Sequence, residues 1–218
     1  MSSAGPQSIA EIALGTDPGA NKELYDGWAQ KYTADVDNWG YDAPARVAAL
    51  LKEHLGDTGC AEVEVLDAGC GDGLTGKYLA EAGFAAVDGV DLSTDMLEVA
   101  KGRGCYRSLA ECDMSQPLSA VADGAYGATS CVGTLTYIPP ASGVLSEFAR
   151  VTKPGGLVCF THRTDRIDEW RERQDGMVED GTWELVVETP PLPYLPNHPE
   201  YTDKVQMKVC VYKVLVAE

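Results

Sequence analysis

The residues best placed to do chemistry lie in one turn. The run Val65-Leu66-Asp67-Ala68-Gly69-Cys70-Gly71-Asp72-Gly73-Leu74-Thr75-Gly76 leads from an apolar segment into a helical pattern, the point at which doubly wound sheets hold their ligands. Glycines there let a ligand approach the main chain and admit positive φ. Gly71-x-Gly73-x-x-Gly76 has the spacing of a dinucleotide turn, which would seat a pyrophosphate on a helix N-terminus. The charges oppose that ligand. Asp67 and Asp72 flank the turn, and Asp91 ends the next apolar run. Three carboxylates around one crevice would repel phosphate by roughly 4 kcal/mol per pair at about 4 Å and an effective dielectric of about 20. They suit a ligand with ammonium and sulfonium charges and ribose hydroxyls. Two further side chains are candidates for proton transfer. His162 and Tyr137 follow the fifth and fourth apolar runs, and a histidine or tyrosine serves as a base where the reacting group arrives protonated. Each also reads as a hydrogen-bonded core residue.

A parallel sheet would bring these residues together. Asn21 caps a helix running to about Thr33, with Tyr25, Trp28, Ala29 and Tyr32 on one aromatic face. A second helix fits Ala43–Leu55, with Asp42 as cap, Pro44 in its first turn and Gly56 as stop. Strand patterns at Val63–Ala68, Ala85–Asp91, Arg107–Cys112 and Ala125–Val132 then alternate with helical ones at Leu74–Ala82 and from Ser93 to Lys101, the latter stopped by Gly102. The helix Ala141–Val151 leads through the turn Lys153-Pro154-Gly155-Gly156 into the strand Leu157–Thr161. Such alternation gives right-handed βαβ units. After the charged helical stretch Thr164–Val178, the strands Trp183–Glu188 and Val205–Val216 flank a proline-rich loop, which predicts an antiparallel edge hairpin. If the first of these two strands is parallel to the sheet, the loop lies on the ligand side and walls the crevice, where Trp39 and Tyr41 are further candidates. The expected architecture is α/β: a Rossmann-like, doubly wound, mostly parallel seven-stranded sheet with N-terminal helices. It occupies 21–218 as one domain, after a flexible segment 1–20 rich in Gly, Pro, Ser and Ala.

Composition narrows the function. The chain has 218 residues, 44% hydrophobic and 23% charged, long enough to bury about 70% of its unfolded surface and unlike a disordered chain. Lys and Arg number 17 against 34 Asp and Glu, a net charge of −17. With no basic cluster, a nucleic-acid partner is not expected, since that affinity is built from Lys and Arg contacts. No apolar run approaches the ~18 residues of a membrane span, and Met1–Gly15 has no signal-like pattern, so no membrane partner is expected. The seven cysteines are odd in number, lack a Cys-x-x-Cys pair and sit mostly in apolar stretches, which predicts reduced thiols in the cytoplasm. His54, His162 and His198 are far apart, so no metal is expected.

Several motifs in order resemble a known family. Asp67-x-Gly69-x-Gly71-x-Gly73 with Asp91, then Glu111-Cys112-Asp113-Met114, Ser130-Cys131-Val132-Gly133-Thr134-Leu135 and Lys153-Pro154-Gly155-Gly156, are similar to the motifs of class I S-adenosylmethionine-dependent methyltransferases. The resemblance covers roughly residues 21–163, and the tail fits the family's closing hairpin. It implies S-adenosylmethionine as cofactor and methyl transfer to a small-molecule acceptor. It also implies that Asp67 and Gly69 meet the methionine end and that Gly71 lets the backbone approach, within a turn that includes Gly73. Asp91 would accept both ribose hydroxyls, with Leu92 beside the adenine. Asp113 would accept from the adenine amino group and the Met114 N–H would serve a ring nitrogen. The Cys131 carbonyl would receive the ammonium, and Tyr32 would close over the carboxylate. The chain departs from the family at Tyr126-Gly127, where an acidic residue is common, a change expected to affect strand entry. Two alternatives remain open at the level of residues: an NAD-dependent oxidoreductase, from the glycine spacing, and a non-catalytic cofactor-binding protein, from the lack of an obvious base.

Overall fold

Strands buried on both faces read as near-continuous apolar runs, and Val65–Ala68, apolar but for Asp67, has every side chain buried. In the computed structural model, which describes residues 15–202 and 204–215, this strand lies near the middle of a mixed sheet. Helices α1 (Pro18–Asn38) and α2 (Ala43–Glu62) precede β1 (Glu64–Ala68), α3 (Leu74–Ala82), β2 (Ala86–Asp91), α4 (Thr94–Arg103) and β3 (Ser108–Glu111). Then come β4 (Tyr126–Cys131), α5 (Val144–Val151), β5 (Thr152–Arg163), α6 (Asp168–Glu179), β6 (Trp183–Glu188), β7 (Leu192–Pro193) and β8 (Gln206–Val214). The sheet order is β3-β2-β1-β4-β5-β8-β6. Its first five strands are parallel, and β8 runs antiparallel to both β5 and β6. The final strand therefore sits inside the hairpin and β6 forms the edge. The eighth strand, β7, is a two-residue pairing of the proline-rich loop with β8, too short to show as a periodic pattern.

Side-chain alternation sorts the core into two layers. Val65, Leu157, Cys159, Val209 and Val211 join one apolar cluster with Val47, Leu51 and Leu79 of α2 and α3. Their neighbours Leu66, Val158, Phe160, Cys210 and Tyr212 join a second with Phe148, Trp170 and Trp183.

Local signals shift several expected boundaries. Asp17, not Asn21, caps α1: its Oδ1 accepts the Ala20 N–H at 2.7 Å, and Pro18 follows as the first helical residue. Residues 18–20 of the segment expected to be flexible are thus helical, and 1–14 lie outside the described residues. The second helix breaks its geometry at Gly56 as expected, yet resumes to Glu62. Helix α4 is capped by Ser93, whose Oγ accepts the Met96 N–H at 3.1 Å, but runs past Gly102 to a left-handed Gly104. Lys153-Pro154-Gly155-Gly156 is a bulge inside β5: Tyr126 pairs with Thr152 and Ala128 with Leu157. Gly127 sits at this irregularity because a Cβ there would lie 2.1 Å from Val63 Cγ2.

Candidate active site

The parallel strands β1 to β4 end on one side of the sheet, and the residues that follow them line a cleft. Its floor is built from main chain. Gly69 and Cys70 donate to the Val90 carbonyl at 2.8 and 3.0 Å, binding the turn after β1 to the end of β2. Gly69 has φ +77°, and a Cβ on it would fall 2.2 Å from Thr134 Oγ1. At Gly71 a Cβ would meet nothing within 4 Å, so the turn is open there. The Gly71 N–H donates to Asp91 Oδ2 at 2.8 Å and the Ser93 N–H to Oδ1 at 2.9 Å. Burial raises the Asp91 carboxyl above its ordinary pKa, against the pull of these donors.

Of the three carboxylates expected around the crevice, only Asp91 lines it; Asp113 is the second acid there. Asp67 is fully buried beneath the turn, accepting the Tyr106 hydroxyl at 2.7 Å and the Ser130 hydroxyl at 3.0 Å. Burial pushes it up to about 7. Asp72 points into the fold instead, taking an ion pair from Arg103, a hydrogen bond from the Thr33 hydroxyl and the Leu74 N–H at 3.1 Å. Gly73 and Gly76 also serve packing. A Cβ at Gly73 would come 3.0 Å from the Ala100 Cα, and one at Gly76 2.4 Å from the Tyr106 hydroxyl oxygen. The third glycine of the dinucleotide spacing is therefore explained by one tyrosine ring.

Helix α1 roofs the cleft. Lys22 Nζ donates to the Leu92 carbonyl at 2.8 Å and pairs with Glu111 at 3.2 Å, while Asp26 accepts the Ser93 hydroxyl at 2.5 Å. Near the other end of α1, Thr33 meets Asp72 and receives an Arg103 N–H at 2.8 Å. Between these clasps Tyr25 and Tyr32 face the cleft, where Leu92, Met114 and Tyr137 also lie, with Tyr41 from the α1–α2 link and Tyr194 from the proline-rich loop. That loop is on the ligand side because β6 runs parallel to β5. Tyr137 is pushed up to about 12, by burial first. Trp39 misses the main cleft and walls a smaller aromatic space beside it.

Two candidates direct their side chains away from the cleft. Cys131 is buried, and it is Val132, Gly133 and Thr134 after it that line the cleft. His162 is 3% exposed and bonded to Gln174 at 2.7 Å on α6. Its ring contacts Phe160 and Trp170 of the second core layer; a one-residue alternation turns it away from the cleft, and Thr161 instead accepts the Gly133 N–H at 2.8 Å. Burial pushes the imidazole down to about 3. Lys22 was not visible as a site residue in the sequence, because it reaches the cleft only through the packing of α1 on α4. Among the described residues no cluster of metal-ligating side chains occurs and no helix is long and apolar enough to cross a membrane.

The family profile described as a methyltransferase domain matches residues 66–160, from β1 to β5. Human methyltransferase-like protein 27 (Homo sapiens) is 34% identical over 172 residues, covering 77% of this chain and 69% of that one. Among solved structures, the [4+2]-cyclase SpnF superimposes with a TM-score of 0.70 at 14% identity, over 93% of this chain and 98% of its own. Geranyl diphosphate methyltransferase, solved in complex with S-adenosylmethionine, gives a TM-score of 0.61 at 19% identity over 78% and 85%. The structural likenesses establish the fold, which also carries a cyclase. The sequence identity establishes the lineage: this chain belongs to the S-adenosylmethionine-dependent methyltransferase family.

Proposed function

We propose that the chain methylates a small-molecule acceptor bound at the aromatic end of the cleft. The observation that carries this reading is the roof: α1 is clasped over the strand ends by Lys22 and Asp26 on one side and Thr33 on the other. That leaves a chamber, not an open groove for a protein or nucleic-acid surface. The donor set suits S-adenosylmethionine. Asp91 and Asp113 accept from sugar and base, Gly71 leaves its face open, and Lys22, the cation at the cleft, is engaged by Leu92 and Glu111. We assign the ribose hydroxyls to Asp91, the adenine to Leu92, Asp113 and the Met114 N–H, and the methionine end to Gly69 and Gly71. Asp67 supports that end from below. Cys131 offers its carbonyl to the ammonium and Tyr32 closes over the carboxylate, while Gly73 holds α3 against α4.

When bound, the cofactor supplies a methyl group already activated by positive sulfur. The protein's part is alignment, and holding two reactants in line is worth roughly 7–11 kcal/mol. Tyr137, neutral at physiological pH, orients an acceptor and does not take its proton. His162 has no part at the cleft. None of the seven cysteines is in a disulfide, which supports the cytoplasm as the compartment. Calorimetry with S-adenosylhomocysteine should show saturable binding, and S-adenosylhomocysteine should be released with a small-molecule acceptor. Absence of binding, or methylation confined to macromolecules of a lysate, overturns the reading.

A further inference from the structure

The inner end of the cleft is a chamber of tyrosines. Tyr25 and Tyr32 come from α1, Tyr41 from the α1–α2 link, Tyr137 from the turn after β4 and Tyr194 from the loop after β7. The same five rings, joined by Trp28 and Trp39, also wall a narrow space beside the cleft that touches neither Asp91, Asp113 nor Lys22. The rings brace one another. Tyr25 meets Tyr137 and Tyr41 meets Tyr194 edge to face, each pair at 5.6 Å. Arg163 lies 5.7 Å from the Tyr194 ring and is held by Asp165 at 2.7 Å, so its charge is already matched. Burial holds the hydroxyls of Tyr25, Tyr32, Tyr41 and Tyr194 well above their ordinary pKa. Among the described residues, no histidine, carboxylate or lysine lines this space.

The chamber therefore selects by what it lacks. An acceptor hydroxyl that must lose a proton before attack finds no base, and an anionic acceptor finds no cation. Flat electron-rich rings do attract positive charge within about 6 Å of their centroids. Resting on the methyl-transfer reading above, we infer that the tyrosine chamber takes a weakly basic aromatic nitrogen as methyl acceptor and holds the cation that it becomes. Such a nitrogen is unprotonated at neutral pH and carries its own lone pair. That pair forms the N–C bond as the S–C bond breaks with its electrons going to sulfur, and the positive charge passes from sulfur to nitrogen. A pyridine-type nitrogen releases no proton. Stabilisation is greatest where charge develops in the transition state, and here it develops among the rings.

The test uses a matched pair of probes, N-methylquinolinium and its neutral isostere 1-methylnaphthalene, titrated calorimetrically into the chain saturated with S-adenosylhomocysteine. The cation should bind at least tenfold more tightly. That preference should fall at least threefold in Tyr137→Leu and Tyr194→Leu but persist in Tyr137→Phe and Tyr194→Phe, because the ring face and not the hydroxyl carries it. S-adenosylhomocysteine affinity, measured on the same samples, reports that each variant is folded. Equal binding of the two probes, binding of neither, or a preference that survives the leucine variants overturns the inference and leaves the methyl-transfer reading standing. Failure of the unaltered chain to bind S-adenosylhomocysteine overturns that reading, and this one with it.

Discussion

Asp91 joins two functions in one side chain: its oxygens accept the Gly71 and Ser93 N–H groups and also face the cleft. On the proposed assignment, charge-assisted hydrogen bonds from a nucleoside sugar would account for a share of affinity. Asp91→Ala should weaken S-adenosylhomocysteine binding by about 1–3 kcal/mol in calorimetry; unchanged affinity would place the sugar elsewhere. Gly69 is constrained differently. Its left-handed backbone and the Thr134 side chain at 2.2 Å from a would-be Cβ leave no room for alanine. Gly69→Ala should cost about 1–3 kcal/mol of stability in denaturant titration. His162 makes a pH statement. Burial holds it near 3 in the fold, against about 6.5 in the unfolded chain. As pH falls the unfolded chain takes up this proton first, so the group's contribution is complete above about pH 6.5 and is lost progressively toward about pH 3. The stability gap between the unaltered chain and His162→Gln should accordingly be wider at about pH 7 than at about pH 5. A constant gap would mean that the histidine is not buried neutral.

At the level of elements, α1 owes its position less to its own sequence than to what it touches. Tyr25, Trp28 and Tyr32 form an aromatic face, yet the helix is located by polar contacts with residues of other elements: Lys22 with Leu92, Asp26 with Ser93, and Thr33 with Asp72 and Arg103. The last of these is the most demanding, because the Asp72 side chain is 1% exposed. Removing the cation strands a buried charge, at a cost of about 3–5 kcal/mol. Arg103→Ala should lower the melting temperature and speed amide exchange in α1. Faster exchange confined to α4 would show that α1 is held by its aromatic face alone. The antiparallel end of the sheet follows similar logic. Strand β8 is buried along most of its length between β5 and β6, so the last strand among the described residues is an inner strand of the sheet.

For the whole molecule, two core layers separated by one sheet hold four of the seven cysteines, Cys60 and Cys159 in one and Cys131 and Cys210 in the other. Five of the seven are buried, and Cys105 and Cys112 are half-exposed. A thiol reagent should titrate two groups in the native protein and the remaining five only on unfolding. Immediate reaction of all seven would contradict the packing of both layers. The net charge of −17 sets the long-range field, which disfavours polyanions and favours cations approaching the cleft.

Most of the sheet was legible in the chain itself. Near-continuous apolar runs such as Val65–Ala68, alternating with helical patterns, point to a covered parallel sheet, and the ordered motifs from Asp67 to Gly156 identify the family without coordinates. Turn glycines and Asp91 were legible for the same reason: local backbone geometry and position at a strand end are written in nearby residues. What lay beyond the sequence depended on partners distant along it. Asp67 and Asp72 read as cleft acids until Tyr106, Ser130 and Arg103 are seen to claim them, and His162 read as either a base or a hydrogen-bonded core residue until strand alternation turned it toward Gln174. Lys22 and Tyr194 reach the cleft only through helix and loop packing. Periodicity encodes which face of an element is buried. Which charge neutralises which, and which rings meet across a cavity, is settled only when segments far apart in the chain are brought into contact.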